Sequence, residues 1–183
     1  MNNAKKFSFK ITVVGTGGVG KTSLIKKFTK GTFTTEYIKT IGAQFSEYEK
    51  EIGLDKIRLI FWDIAGQDDF QFLRPSFYQE SEAAIIVLSL EENELGKRSL
   101  QDISYWYNDV HQHCGRIPIL VFANKVDLVD EQHVDMGKIN NTLGTDIHGV
   151  FLTSAKTGQG VNQAFDSLIN KLFQKFNKKS SNI

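Results

Sequence analysis

A single cysteine, Cys114, stands in a chain of 183 residues. No disulfide can close within the chain, so a reducing setting is the default, and the position reads as a half-buried thiol. Charge of one sign is also missing. Lys plus Arg number 22 against 21 Asp plus Glu, a formal net charge of +1 that gives no bulk reason to expect nucleic acid as a partner or an acidic tail. Long apolar runs are absent too: the longest, Ala83 to Leu90, falls far short of the ~20 residues that span a bilayer, and Met1 to Lys10 has no apolar segment of the secretory kind. The expectation is a cytoplasmic protein, peripheral at membranes through partners. Asn2 in place of glycine and a final Ser181-Asn182-Ile183 without cysteine match neither a myristoylation nor a prenylation pattern. At 40% apolar and 23% charged residues, the composition is not that of a disordered, collagenous or coiled-coil chain, and the length suits one domain with a real core.

What is there is an alternation of short β-branched or aromatic runs with helix-period segments, the pattern of a mostly parallel α/β sheet. The runs are Phe9 to Val14, Ile57 to Trp62, Ala83 to Leu90, Ile117 to Ala123 and Val150 to Leu152, several of them continuously apolar, as strands covered on both faces are. From Ile41 to Glu51 the pattern changes to alternation, which predicts an antiparallel edge strand turned by Gly53-Leu54-Asp55. Val161, Phe165, Leu168, Ile169, Leu172, Phe173 and Phe176 make one apolar stripe and predict a final helix packed on the sheet. Leu100, Ile103, Trp106 and Val110 mark a second helix. Leu24, Ile25 and Phe28 mark a third, after a glycine-rich turn.

The neutral average hides a bias: Met1 to Thr35 carries seven lysines and neither Asp nor Glu. Within that stretch, Gly15-Thr16-Gly17-Gly18-Val19-Gly20-Lys21-Thr22 is a full match to the phosphate-loop pattern GxxxxGK(S/T), in the required strand, loop, helix context. The glycines let backbone N–H groups converge on phosphate oxygens, and the helix adds its positive end. Lys21 would bridge β- and γ-phosphates, and Thr22 would place its hydroxyl on Mg²⁺. The loop alone leaves ATPases, kinases and GTPases open.

The base decides between them. Asn124-Lys125-Val126-Asp127 follows one strand and Ser154-Ala155-Lys156 another. Guanine offers N1–H and a 2-amino group, which one carboxylate at Asp127 accepts side by side, whereas adenine presents a lone pair at that N1. Charge-assisted bonds of roughly 1.5 to 3 kcal/mol each make the preference strong. The Ala155 N–H could meet guanine O6, and the stem of Lys125 could cover the ring.

With these motifs in place, from about Phe9 to Phe176, the chain resembles a small GTPase of the Ras superfamily. The resemblance implies a P-loop NTPase three-layer sandwich, a six-stranded mostly parallel sheet with one antiparallel edge strand, and five helices. It implies a domain over residues 1–177 with a short polar tail at 178–183. It further implies that Gly15, Gly17, Gly18, Val19, Gly20, Lys21, Thr22, Ser23, Phe33, Tyr37, Thr40, Gly66, Asn124, Lys125, Asp127, Leu128, Ser154, Ala155 and Lys156 surround GTP or GDP. Thr22, Thr40 and Asp63 would hold Mg²⁺. By the same likeness, Phe33 packs on the guanine edge, Tyr37 closes over the phosphates, and Thr40 ligates the metal only with GTP bound. Asp63 holds a metal water, the Gly66 N–H meets the γ-phosphate, and Gln67 orients the attacking water. Lys21, Thr40, Gly17 and Gln67 form the catalytic set, Gly17 by leaving room for an arginine supplied by an activating protein. Arg74 reads as a surface residue of the second switch. The implied partners are a GTPase-activating protein, an exchange factor and effectors, met through residues 33–45 and 63–78, with the chain a monomer.

Ile41-Gly42-Ala43-Gln44-Phe45 and Trp62-Asp63-Ile64-Ala65-Gly66-Gln67 look like the Rab branch, with Phe45, Trp62 and Phe77 at its aromatic triad, a cluster equally able to be plain seam packing. Asp68-Asp69, Gln79-Glu80 and Ser89-Leu90-Glu91-Glu92 depart from it. From Ser167 to Ile183 there are four lysines and no acids. At about 1 kcal/mol per lysine, that patch supports weak, salt-sensitive membrane association at most. Two readings remain open: a cycling GTPase, or a nucleotide-locked scaffold.

Overall fold

Seven strands form one sheet: β1 (Lys6–Val14), β2 (Thr35–Ile38), β3 (Ala43–Ile52), β4 (Asp55–Ile64), β5 (Ala83–Ser89), β6 (Ile119–Asn124) and β7 (Ile147–Thr153). Their spatial order is β2-β3-β4-β1-β5-β6-β7. The computed structural model describes residues 4–29, 35–38, 43–64, 74–142 and 147–180. Pairing is parallel from β4 through β1, β5 and β6 to β7, and antiparallel at β2–β3 and β3–β4. The helices are α1 (Lys21–Phe28), α2 (Arg74–Tyr78), α3 (Glu94–Gln101), α4 (Ile103–Cys114), α5 (Met136–Thr142) and α6 (Val161–Ser180).

The two faces of the sheet bury separate cores, as period-two side-chain alternation requires. On one face, Phe9, Ile11, Val13, Ile85 and Val87 meet Leu24 and Ile25 of α1 and Phe165, Leu168, Ile169 and Leu172 of α6. Phe165 is the hub of that side, stacked on Phe28 at 4.0 Å and meeting Phe61 and Phe122 edge-on at 5.5 and 5.1 Å. On the other face, Val14, Ile86 and Leu88 meet Phe77 and Tyr78 of α2, Ile103, Trp106 and Val110 of α4, and Ile139 of α5. The result is the expected three-layer α/β sandwich with α6 packed on the sheet. No helix among the described residues is long and apolar enough to cross a membrane.

Details differ from the sequence expectation for identifiable reasons. The antiparallel strand is not at the edge, because β2, only four residues long, pairs outside it, Thr35 with Ser46 through Ile38 with Ala43. The strand expected from Ile117 begins at Ile119: Pro118 has no N–H to donate, although its carbonyl still accepts from Ala84 N at 2.9 Å. The strand expected at Val150 to Leu152 is longer, and its register slips where Ile119 pairs Ile147 but Leu120 pairs Gly149, so His148 forms a bulge. The expected helix through Leu100 and Val110 is two segments joined at Asp102, whose backbone stays near-helical (φ −73°, ψ −9°). Taken as one jointed element, α3–α4 restores the five helices expected. Helix α6 runs to Ser180, past the boundary expected at 177.

Candidate functional site

Because the core strands are parallel, their C-terminal ends share one edge of the sheet, and the loops leaving them converge there. β1 leads into the glycine-rich loop, β4 carries Asp63 beside Val13, β5 ends at Ser89 beside Asn124, and β7 ends at Thr153 beside Asn124.

Lys21, the first residue of α1, is 7% exposed. Its ammonium donates to the carbonyls of Gly15 at 2.9 Å and Thr16 at 3.2 Å, and no carboxylate lies within hydrogen-bond reach of it among the described residues. Burial pulls its pKa down; Asp63 pulls it back up, and Arg74 adds to the lowering. A buried ammonium met only by carbonyl oxygens suits an anionic ligand. Beside it, the Thr22 hydroxyl donates to the carboxylate of Asp63, which is 6% exposed. Burial raises the pKa of Asp63, opposed by the Thr22 hydrogen bond and the Lys21 charge. A hydroxyl and one carboxylate side by side are hard oxygen donors, suited to Mg²⁺ shared with phosphates.

Asn124, 1% exposed, ties the loops together. Its Nδ2 donates to the Val19 carbonyl at 2.8 Å, and its Oδ1 accepts from Ala155 N at 3.1 Å and Thr153 Oγ1 at 3.4 Å. The contact is intimate: at Gly20 (φ 99°) a Cβ would stand 2.4 Å from Asn124 Nδ2, so only glycine suits. At Gly17, by contrast, a Cβ would meet nothing within 4 Å. Asn124 thus ties the phosphate loop to the loop after β7.

Asp127 Oδ1 accepts from Ser154 Oγ at 2.6 Å, and Ser154 Oγ in turn accepts from Thr157 N at 3.0 Å. Lys156 Nζ lies 3.9 Å from Asp127 Oδ2. Asp127 is therefore oriented by the loop after β7. Leu128 is 53% exposed and Ser23 is exposed on the outer side of α1.

Two contacts were not legible in the motifs. Lys125, held at φ 68°, sends its ammonium to Glu91 Oε2, and Ser89 Oγ donates to the same oxygen at 2.9 Å. Those bonds lower the pKa of Glu91, with Lys125 contributing most. Glu91 is fixed from behind, because a Cβ at Gly96 of α3 would lie 1.8 Å from the Glu91 carbonyl, so glycine alone lets α3 approach this closely. The expectation for Lys125 concerned its stem; its charged end belongs to Glu91. The second contact is Thr16 Oγ1 donating to Asp102 Oδ2 at 2.8 Å, which links the phosphate loop to the α3–α4 joint.

Arg74 corrects an expectation. It is 3% exposed, with its guanidinium 4.6 Å from the Trp106 ring, donating to Tyr105 Oη at 2.8 Å and 4.0 Å from Asp109 Oδ2. Tyr78 Oη also donates to Asp109 Oδ2, at 2.7 Å. The aromatic triad is assembled: Phe45 and Trp62 meet at 4.0 Å, and Trp62 and Phe77 at 5.8 Å. Lys10 covers Trp62 at 4.0 Å. Phe33, Thr40, Gly66 and Gln67 lie outside the described residues, and Tyr37 is described only as backbone of β2.

Comparison with known proteins gives the family. The family model described as Ras family matches residues 10–174. The chain belongs to the Ras family. It is 30% identical over 171 residues to Ras-related protein Rab-21 of Bos taurus, covering 93% of this chain and 75% of that one. It is 30% identical to human Ras-related protein Rab-8B, covering 94% and 82%, and 31% identical to Ras-related protein Rab-18 of Caenorhabditis elegans, covering 91% and 81%. It is thus a Rab-like small GTPase, a GTP hydrolase and molecular switch. Members of this family bind GTP, GDP and Mg²⁺ and work with regulators and effectors.

Proposed function

We propose that this Rab-like GTPase binds GTP and GDP with Mg²⁺ at the loops described above, hydrolyses GTP slowly on its own, and changes partners as it does so. The observation that carries the reading is Lys21: a buried ammonium, bonded only to carbonyls, at the mouth of a glycine-rich loop.

Gly15, Gly17, Gly18, Val19 and Gly20 turn backbone N–H groups to the phosphates, while Lys21 holds the β- and γ-oxygens. Thr22 and Asp63 would hold Mg²⁺, joined by Thr40 in the GTP state, and the bound ion supplies neutralisation of phosphate charge. Asp127 accepts from guanine N1–H and the 2-amino group, Ala155 N–H donates to O6, and Lys125, Leu128, Ser154 and Lys156 frame the base. Gln67 orients a water in line with the γ-phosphorus; a bond forms from water oxygen to phosphorus, the bond to the bridging oxygen breaks, and phosphate leaves GDP. The open space at Gly17 admits an arginine from an activating protein, worth ~10³ to 10⁵ in rate. Loss of the γ-phosphate releases Thr40 and Gly66, so residues 33–45 and 63–78 present different surfaces to effectors and exchange factors. The protein works as a monomer without nucleic acid.

Single-turnover GTP hydrolysis of wild type and Gln67→Leu tests the chemistry. The wild type is expected to turn over slowly and the variant slower still; equal rates remove Gln67 from the mechanism. Nucleotide extracted from the purified protein is expected to be guanine-based, and adenine nucleotide in its place would overturn the role of Asp127. Asp127→Asn is expected to favour xanthine nucleotides, whose 2-oxo group accepts from the amide.

A further inference from the structure

At the opposite end of the sheet, where β6 begins, lies a second cleft of about 390 Å³. Arg116 and Pro118 of the loop between α4 and β6 form one wall, His148 on β7 another, and Lys171, Gln174 and Lys175 of α6 the third. The three α6 residues fall at i, i+3 and i+4 and so share one face of that helix, while Leu172 of the same turn is buried in the core. The register slip at Ile119–Leu120 puts His148 in a bulge, a device that re-aims side chains.

Several exposed cations elsewhere are matched with acids: Lys50 with Asp166, Lys56 with Glu49, Arg58 with Glu47, Lys97 with Glu94 and Arg98 with Asp102. Arg116, Lys171 and Lys175 have no ion-pair partner among the described residues, and no carboxylate lines the cleft. Asp166 is the only acid in α6, and Lys50 engages it. Further along the same helix the sequence adds Lys178 and Lys179. Converging cations left unneutralised around a cavity repel one another, and a multivalent anion relieves that repulsion while accepting several charge-assisted hydrogen bonds.

We infer that the cleft bounded by Arg116, Lys171 and Lys175 binds the phosphate-monoester headgroup of an anionic lipid, docking the domain on a membrane by the end opposite its nucleotide loops. A monoester carries more charge than a diester lipid and presents more free oxygens to an arginine fork. The cleft has the volume of a headgroup. The site is independent of the nucleotide reading, because it shares no residue with those loops.

The test is vesicle co-sedimentation of the full chain, loaded with GDP and separately with a non-hydrolysable GTP analogue. The vesicles are phosphatidylcholine alone, phosphatidylcholine with phosphatidylserine, and phosphatidylcholine with phosphatidylinositol 4-phosphate at matched surface charge. Binding is expected to favour the last in both nucleotide states. It should fall roughly fivefold for each of Lys171→Ala and Lys175→Ala, fall also for Arg116→Ala, and hold for Lys97→Ala, a lysine 70% exposed on α3. Soluble inositol 1,4-bisphosphate should displace the protein. Equal binding to the two charged vesicles would overturn the headgroup assignment. So would a protein that takes up inorganic phosphate or an immobilised phosphoserine peptide yet ignores the vesicles, or alanine variants that bind as wild type does.

Discussion

Asp63 sets folding against the metal role proposed for it. Its carboxyl is 6% exposed, and burial lifts its pKa above the ordinary range. A carboxyl raised in the folded state stabilises the fold fully only below its unfolded pKa, and that contribution is lost as pH rises through the folded value. Asp63→Asn is expected to flatten the fall in stability of the nucleotide-free protein as pH rises through the raised carboxyl value, and to abolish the dependence of GDP retention on Mg²⁺. Thermal melts along a pH series, with and without Mg·GDP, check both. Glu91 is the complementary case. Removing its charge frees Lys125, and at up to about 1 kcal/mol for a pair of this exposure, Glu91→Gln should speed GDP release by about fivefold while single-turnover hydrolysis holds. Fluorescent-nucleotide displacement measures the release. The glycine-rich loop and the segments at Asn124 to Asp127 and Ser154 to Lys156, which the fold brings to one edge of the sheet, were legible because each is a motif of particular residue types at short spacing. The bonds from Glu91 to Lys125 and from Thr16 to Asp102 join positions 34 and 86 residues apart, and no local pattern announces such a meeting.

Helices α2 and α4 are joined by a polar cluster set among apolar rings. Asp109 accepts from Tyr78 Oη and stands 4.0 Å from the Arg74 guanidinium, which Trp106 covers. Asp109→Asn leaves a buried arginine without its counter-charge and is expected to cost about 3 kcal/mol in urea unfolding. Asp109→Asn should also loosen α2 at the foot of the second switch, read as faster amide exchange at Phe77 and Tyr78. Phe165→Ala, which removes the hub of the opposite core, should cost about 3 to 5 kcal/mol. Periodicity disclosed α6 because a 3.6-residue stripe survives in one dimension. Charge misled on Arg74, which reads as a surface residue until Trp106 and Asp109 close around it. β2 escaped notice because four residues are too few to show a period, and pairing with β3 defines it.

The domain as a whole carries its acid–base balance unevenly. Burial pushes the Cys114 thiol up to about 11, against the pull of Lys10, so the folded state keeps that proton to a higher pH than the unfolded chain. The stabilisation is complete below the ordinary thiol value and is lost as pH rises through about 11. Cys114→Ala should flatten the fall in stability above neutral pH, seen by comparing denaturation midpoints along an alkaline series.

The sheet also has a margin. β2 covers β3 only from Ala43 to Ser46, and beyond it, among the described residues, no strand lies along the outer side of Glu47 to Ile52. That stretch reads Glu47-Tyr48-Glu49-Lys50-Glu51-Ile52. A second molecule approaching to extend the sheet would bring a copy of the same acids against these, or would have to break the ion pairs from Glu47 to Arg58 and from Glu49 to Lys56. Charge along an open margin is what keeps such strands from templating aggregation. Glu47, Glu49 and Glu51 therefore guard this open margin against extension of the sheet by a second copy.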